Sequence, residues 1–442
     1  MKQMLLAATL FFIIEGTTVA KNIFPYSYKK EILPNGLTVI VIPMESPGLV
    51  SYYSVVRTGS RDEVEPGKSG FAHFFEHMMF RGTKKYPGGV YDSIMTSIGA
   101  DANAYTTDDL TAYHLNFAKD DLEKVIEMES DRFQNLYYEE REFQTEAGAV
   151  YGEYRKSVTS PYFALGEKTQ DLAYDVHTYK HTTIGFEADI KAMPEAYEYS
   201  HSFFNRFYRP ENVVLIIAGD VQPAAVVNLI KQYYGNWQKG YVPPAITPEP
   251  PQKGERTAEI SYEGKTLPIL NIAYKGDAFD PKNRTYVAAM LLGELAFGEN
   301  SDLNKKLVIR EQRVQWLNAS IPMNRDVPLF EITTMVKKTD DINAIRDEIY
   351  RTLKEFSEKP VSKKKLNDLK RRNKYQFLMG LDTPDHVAGR MARFAALSGS
   401  IEVVNDLYST FDTITPADIQ KAAAKYFTSE RRTVVVLKGA QK

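Results

Sequence analysis

The segment with the clearest chemical potential is the pentapeptide His73-Phe-Phe-Glu-His77, which has the spacing H-x-x-E-H. In a helix, His73 and His77 lie four residues apart on one face, where their two imidazoles can bind one metal ion. Glu76 lies on nearly the same face, close enough to take a proton from a water at that metal. The pentapeptide therefore predicts two nitrogen ligands and a general base, most of what zinc-assisted hydrolysis requires.

Apolar residues surround the pentapeptide, so a buried helix with two hydrogen-bonded histidines is the alternative interpretation. The flanking apolar side chains are Phe71, Phe74, Phe75, Met78, Met79 and Phe80. Burying two imidazoles and a carboxylate among phenylalanines is costly unless these groups are paired or bind a metal. The metal site is therefore the favoured interpretation.

A catalytic zinc site usually has three protein ligands and leaves the fourth position to water. Residues 137–157 are predicted to form a long helix that contains Glu146 and Glu153, seven residues and thus two turns apart on one face. Because glutamate pairs on helices are usually solvated, and because spacing alone does not choose between these two carboxylates, both remain candidates for the third ligand.

Composition limits the classes of protein to which the chain can belong. Its 442 residues are 43% hydrophobic and 25% charged, which is a globular composition long enough for two or more domains. A net charge of −2 and the lack of a basic stripe with interleaved aromatic residues argue against a nucleic-acid partner. The chain has no cysteine, which excludes a cysteine nucleophile, a thiolate zinc site and disulfides.

The first twenty residues have the organisation of a secretory signal peptide. Lys2 gives a positive start, residues 4–14 form an apolar core, and Thr18-Val-Ala20 offers a small-x-Ala cleavage site. The apolar core is too short to span a bilayer, and no stable membrane insertion is expected. We therefore predict an exported protein whose mature chain begins near Lys21, in the periplasm or, alternatively, secreted. An uncleaved anchor is the alternative to a cleaved signal peptide.

A proline-rich segment, residues 239–254, is predicted to be a linker between two domains, residues 21–238 and 255–442. The stretch from Tyr208 to Gly219 before the linker resembles the stretch from Phe427 to Gly439 near the C-terminus. Two similar α+β halves that arose by duplication explain this similarity. Since the second half lacks H-x-x-E-H, we expect a zinc-bearing N-terminal domain and a metal-free C-terminal domain.

The segment from Gly67 to Thr83, with the two-half organisation, resembles the pitrilysin/insulinase family of inverted-zincin metallopeptidases. Within that family it is most similar to the branch of the mitochondrial processing peptidase and its bacterial relatives. The resemblance covers essentially the whole mature chain. It implies two halves that each contain a mixed β-sheet packed with helices, and a zinc endopeptidase that cleaves unfolded or small peptides with one Zn²⁺ per chain.

The resemblance also assigns roles to individual residues. The second glutamate of the family's E-x6-E pair is the third zinc ligand, which corresponds to Glu153, while Glu146 takes the supporting acidic position. The family's edge strand beside the zinc corresponds to the segment that contains Asn103 and Ala104, where a substrate peptide adds as a further strand. A turn followed by an ordinary strand is the plain alternative for that segment.

One departure from the family pattern concerns the C-terminal half. Self-sufficient members carry an arginine and, seven residues later, a tyrosine that bind substrate; here Arg310 is present but the second position is Leu317. The resemblance thus implies the catalytic subunit of a heterodimer with a metal-free homologous partner, or else a homodimer. A non-catalytic scaffold or binding subunit of the same family is the alternative function, as is a module whose zinc only stabilises the fold.

Overall fold

Two β-sheets, one on each side of the segment 239–254, organise the chain in the computed structural model, which describes residues 22–440. The predicted signal peptide, residues 1–20, lies outside the described residues. Both sheets contain parallel and antiparallel neighbours, and both are packed with helices. This architecture confirms the predicted α+β fold of two similar halves.

The N-terminal sheet consists of β1 (Lys29–Ile32), β2 (Thr38–Pro43), β3 (Leu49–Val56), β4 (Asp101–Thr106), β5 (Thr111–Ala118) and β6 (Val213–Gly219). Its strand order is β1-β2-β6-β3-β5-β4, so that β4 is an edge strand. β2 and β6 run parallel, and the other neighbours run antiparallel. A turn at Asn35-Gly36 joins β1 and β2, where Gly36 adopts a left-handed φ of +92°.

The N-terminal half contains eight α-helices within residues 22–234. They are α1 (Phe71–Met78), α2 (Gly88–Ser97), α3 (Leu122–Asn135), α4 (Glu140–Ser157), α5 (Pro161–Ala173), α6 (Glu187–Ala192), α7 (Tyr197–Phe207) and α8 (Pro223–Tyr234). The helix predicted over 137–157 begins three residues later than expected, because Glu142 accepts the backbone N–H of Glu139 at 2.9 Å and caps the first turn.

The C-terminal half repeats the connectivity of the first. Its strands are β7 (Arg256–Tyr262), β8 (Ile269–Lys275), β9 (Val314–Ser320), β10 (Leu329–Val336) and β11 (Arg432–Gly439). The strand order β7-β11-β8-β10-β9 matches β2-β6-β3-β5-β4, including the parallel first pair. The shared order and strand directions are those expected of a duplicated unit.

The helices that accompany the C-terminal sheet include a short element that continues into a π-helical turn, Lys305–Arg310. Their bounds are α9 (Arg284–Phe297), α10 (Asp302–Asn304), α11 (Ile342–Glu358), α12 (Lys363–Met379), α13 (Pro384–Ser398), α14 (Val403–Thr413) and α15 (Pro416–Tyr426). None of the helices in residues 22–440 is both long enough and apolar enough to cross a membrane.

Each half contributes a helix that packs on the β-sheet of the other half. α13 of the C-terminal half packs on β3 and β6, while α5 of the N-terminal half packs on β7, β8 and β11. Side chains alternate between the faces of a strand, so Val39 and Val41 of β2 join the core beneath α1, whereas Ile40 and Ile42 join the core shared with the C-terminal half. The face of the N-terminal sheet that lies opposite α1 is therefore buried by the other half.

The segment 239–254 contains no helix or strand, but it is fixed to both halves by Glu249. The carboxylate of Glu249 accepts the backbone N–H groups of residues 175–177 at 2.9–3.1 Å. It also pairs with Lys275 of β8, and both side chains are almost completely buried. One carboxylate thus joins a loop of the N-terminal half to a strand of the C-terminal half.

Candidate metal centre

The helix α1 has two chemically different faces. Five apolar residues are buried in the core of the N-terminal half: Phe71, Ala72, Phe74, Phe75 and Met78. His73, Glu76 and His77 lie on the less buried face, at the three- and four-residue spacings that one helical face requires. The predicted helix is present, and it places the three functional side chains of the pentapeptide together.

The first turn of α1 is held by the buried carboxylate of Glu63. Its two oxygens accept the backbone N–H groups of Gly70 at 2.7 Å and Ala72 at 2.6 Å, which otherwise lack partners in the helix. Gly70 has a φ of +93°, and a Cβ there would lie 2.5 Å from the backbone oxygen of Ile184. The start of the helix that carries both histidines is therefore fixed by groups outside it.

Glu153 of α4 lies opposite the two histidines. Its Oε2 is 3.6 Å from Nε2 of His73 and 3.4 Å from Nε2 of His77. One potential ligand atom from each residue lies within 4.8 Å of the other two, and no other group of three or more His, Asp or Glu residues in 22–440 gathers in this way. The structure brings together the three residues predicted to bind metal.

The donor set of this cluster fits zinc. Ligand atoms bound to tetrahedral zinc at roughly 2.0–2.2 Å lie about 3.4 Å from one another. The distances from Oε2 of Glu153 to Nε2 of His73 and of His77, 3.6 and 3.4 Å, are close to this value. Two imidazole nitrogens and one carboxylate oxygen leave a fourth tetrahedral position for water or substrate.

Glu146 orients His77 from the opposite side of the imidazole. Its Oε1 lies 2.8 Å from Nδ1 of His77, and its Oε2 accepts hydrogen bonds from Nε and Nη2 of Arg81. The hydrogen bonds to Glu146 and then to Glu153 raise the pKa of His77 to about 9. Glu146 therefore holds the ring without occupying the nitrogen that faces Glu153.

The imidazole of His73, unlike that of His77, is positioned by packing rather than by a hydrogen bond to its Nδ1. Its Nδ1 is buried and has no hydrogen-bond partner among the described residues. Burial lowers the pKa of His73, which favours the neutral imidazole that a metal ion requires.

Glu76 is held by the edge strand beside α1. Its Oε2 accepts a hydrogen bond of 2.6 Å from the Oγ1 of Thr106, the last residue of β4. On the same strand, Asn103 is exposed, and its Oδ1 accepts the backbone N–H of Ala104 at 2.8 Å. The predicted edge strand is thus present next to the candidate base, while Thr106 and Arg81 are contacts that sequence analysis did not single out.

A cavity lies beside Glu76 and His77. Its volume is about 640 Å³. It is lined by Glu76, His77, Phe80, Arg81, Pro87, Gly88, Gly89, Asp92, Glu142 and Glu146. A side chain that enters the cavity would therefore lie directly beside the candidate base.

Arg310 does not join the candidate metal centre. It ends the π-helical turn and lines a separate cavity of about 460 Å³, whose lining residues all belong to the C-terminal half. Leu317, on β9, is 2% exposed and belongs to the core. Its neighbour Trp316 faces the other side of the strand, against Tyr162 of α5. Within one chain, Arg310 and Leu317 belong neither to the candidate metal centre nor to the lining of the cavity beside it.

Sequence comparisons give the chain two matches to models of one family. Residues 41–186 match the model described as "Insulinase (Peptidase family M16)". Residues 196–373 match the model described as "Peptidase M16 inactive domain". The candidate metal centre lies within the first match, and Arg310 lies within the second.

Individual proteins show the same similarity, two of them over nearly the full length and one over part of the chain. The zinc protease PqqE of Helicobacter pylori is 28% identical, over 99% of this chain and 98% of that protein. The crystal structure of a protease from Helicobacter pylori has a TM-score of 0.87 and 28% identity, covering 93% of this chain and 99% of that one. The probable zinc protease PqqL of Escherichia coli is 30% identical over 45% of this chain, but over only 22% of that protein.

Proposed function

Because the chain belongs to the insulinase family of M16 peptidases, we propose that it is a zinc-dependent endopeptidase that hydrolyses peptide bonds in unfolded or small peptides. The observation that carries this proposal is the cluster of His73, His77 and Glu153, with Glu76 on the same helical face. A metal that only stabilised the fold would usually have four protein ligands and no free carboxylate beside it.

His73, His77 and Glu153 would hold one Zn²⁺ per chain, with Glu146 supporting His77 from behind. When bound, zinc lowers the pKa of a coordinated water and polarises a carbonyl oxygen. The two histidines lie on α1 and Glu153 lies on α4. Because α4 packs against α1, the distance between the histidines and Glu153 is fixed before a metal binds.

Glu76 acts as the general base and then as the general acid. It takes a proton from the attacking water, and it returns that proton to the amine that leaves when the peptide bond breaks. The cavity beside Glu76 is large enough for a peptide side chain, so a substrate residue bound there would lie next to the base.

The outer edge of β4 binds the substrate backbone as an added strand. Asn103 and Ala104 contribute to this edge, and the Asn103 side chain currently satisfies the N–H of Ala104 that a substrate carbonyl would take over. Arg310 contributes to substrate binding only across a subunit boundary, since in its own chain it lies in another cavity. A metal-free homologous partner, or alternatively a second copy of this chain, would complete the substrate site.

The proposed site of action is the periplasm, with secretion as the alternative. This part of the proposal is supported by the N-terminal leader, with its positive start, short apolar core and cleavage motif at Thr18-Val-Ala20.

The experiment that tests the proposal is cleavage of a mixed pool of unstructured peptides by the mature protein, purified alone and loaded with zinc, with and without a chelator. Cleavage that the chelator abolishes and zinc restores is the expected result. If neither the protein alone nor its mixture with a homologous partner cleaves any peptide, the endopeptidase proposal is wrong and a non-catalytic role is favoured.

A further inference from the structure

We propose that Thr106 is a positioning residue for Glu76 and keeps this carboxylate aimed at the reacting atoms. The proposal deepens the proposed function, on which it rests, because it takes Glu76 to be the general base. Its starting point is the hydrogen bond of 2.6 Å from Oγ1 of Thr106 to Oε2 of Glu76. This hydroxyl is the one protein donor that Glu76 has among the described residues.

The strand geometry explains why a threonine stands at this place. Side chains alternate along β4, so Ala102, Ala104 and Thr106 point to the same face. The two alanines pack against the core that contains α1, whereas Tyr105 packs against the core on the opposite side of the sheet. Because the alanines are small, α1 lies close to the strand, and the hydroxyl of Thr106 reaches the carboxylate of Glu76.

The hydrogen bond distinguishes the two oxygens of Glu76. Oε2 is held by Thr106, while Oε1 accepts no hydrogen bond from any residue in 22–440. A carboxylate that is fixed through one oxygen presents the other in a constant direction, ready to exchange a proton. Without the hydroxyl, the terminal torsion of Glu76 is free, since rotation about this bond is broad and roughly two-fold. A smaller fraction of molecules would then have the base correctly aligned.

Thr106 also connects the base to the strand that is proposed to bind substrate. It is the last residue of β4, two residues after Ala104, and it pairs with Thr111 of β5. A peptide that adds to the outer edge of β4 would be aligned by the same strand that aligns Glu76. The strand β4 would therefore position both the scissile bond and the carboxylate of Glu76.

The test compares zinc-loaded Thr106→Val, which removes the hydroxyl at nearly constant shape, with Thr106→Ser, which keeps it. For Thr106→Val we expect a decrease of about 10- to 100-fold in kcat, with KM and zinc content unchanged. Thr106→Ser should restore most of kcat. If Thr106→Val cleaves like the wild type, or if both variants lose activity equally, the proposal is wrong.

Thr111→Val is the matched control, because it removes a buried hydroxyl from the same pair of strands. The Oγ1 of Thr111 donates to the backbone oxygen of Thr58 at 3.0 Å and does not contact Glu76. This control should lower thermal stability while kcat stays at the wild-type value. A fall in kcat as large as that of Thr106→Val would mean that any loosening of the sheet impairs cleavage, and would contradict a specific role for Thr106.

Crystal structures of the zinc-loaded wild type and Thr106→Val provide a readout that does not depend on activity. The proposal requires one orientation of Glu76 in the wild type and a rotated or divided carboxylate in the variant. An unchanged Glu76 in the variant would overturn the positioning role, even if the wild type cleaved no peptide. Failure of the proposed function and failure of this inference are therefore distinguishable.

Discussion

Oε1 of Glu146 lies 2.8 Å from Nδ1 of His77, on the side of the imidazole that points away from Glu153. A neutral imidazole that donates its Nδ1 proton to a carboxylate presents the lone pair of Nε2 to a metal. The contact therefore selects the tautomer of His77 that metal binding requires. It also explains how two glutamates of one helix serve the same histidine in different ways.

Replacing Glu146 should weaken the metal site without removing a ligand. For Glu146→Gln we expect zinc affinity to fall by roughly 10- to 100-fold, because His77 loses its charged acceptor. Affinity would be measured by competition with a coloured chelator. Glu140→Gln, an exposed position on the same helix, is the matched control and should bind zinc as the wild type does. Equal affinity in both variants would contradict an orienting role for Glu146.

Replacing Glu249 should destabilise the whole fold. The Glu249→Gln variant leaves Lys275 charged and almost completely buried without its partner, and losses of about 3–5 kcal/mol are typical when one member of a buried pair is removed. Urea unfolding would measure the change in the free energy of unfolding. As a control, Glu259→Gln breaks the exposed pair with Lys438 and should cost no more than about 1 kcal/mol. Similar losses in both variants would refute the special role of Glu249.

The stability of the fold should depend on pH through Asp109, whose Oδ2 accepts the backbone N–H of Arg325 in the C-terminal half at 3.1 Å. Burial, followed by the charge of Asp108, raises the pKa of Asp109 from 3.8 to about 6. The carboxyl group of Asp109 therefore binds its proton more tightly in the folded state than in the unfolded chain. The stability that this proton contributes to the fold is fully present below about pH 3.8 and is lost as the pH rises through about 6.

The variant Asp109→Asn has no titratable group at this position, so comparison with the wild type isolates the contribution of Asp109 to the pH dependence of stability. Its free energy of unfolding, relative to that of the wild type, should increase as the pH is raised from about 4 to 7. Urea titrations at several pH values would show this trend. A difference that does not change with pH would mean that the pKa of Asp109 is the same in the folded and unfolded states.

Local patterns predicted those parts of the structure that depend on neighbouring residues in the chain. The H-x-x-E-H spacing, with its flanking phenylalanines, predicted a helix with one polar and one buried face, and α1 has both. An Asn-Gly pair between two apolar runs is likewise a local hairpin pattern, and Asn35-Gly36 joins β1 and β2 in this way. In each case the residues that determine the element lie within a few positions of one another in the sequence.

Contacts between distant segments were not predictable from the sequence alone. Glu146 and Glu153 share one face of α4, so spacing alone did not separate their roles. The family resemblance assigned a role to each, whereas their different contacts with His77 depend on how α4 packs against α1. Thr106 is thirty residues from Glu76, and no spacing rule joins a strand end to a helix. Likewise, the packing of α5 and α13 on the sheet of the other half depends on which sheet faces are apolar in the assembled halves, which no single segment specifies.

The measurement that tests the central claim most directly is zinc content and peptide cleavage for Glu76→Gln beside Glu153→Gln. We predict that Glu76→Gln retains one Zn²⁺ per chain and loses about 10²- to 10⁴-fold in the rate of cleavage, because the base is gone and the ligands remain. Glu153→Gln should bind zinc more weakly. Cleavage at the wild-type rate by Glu76→Gln would contradict the account.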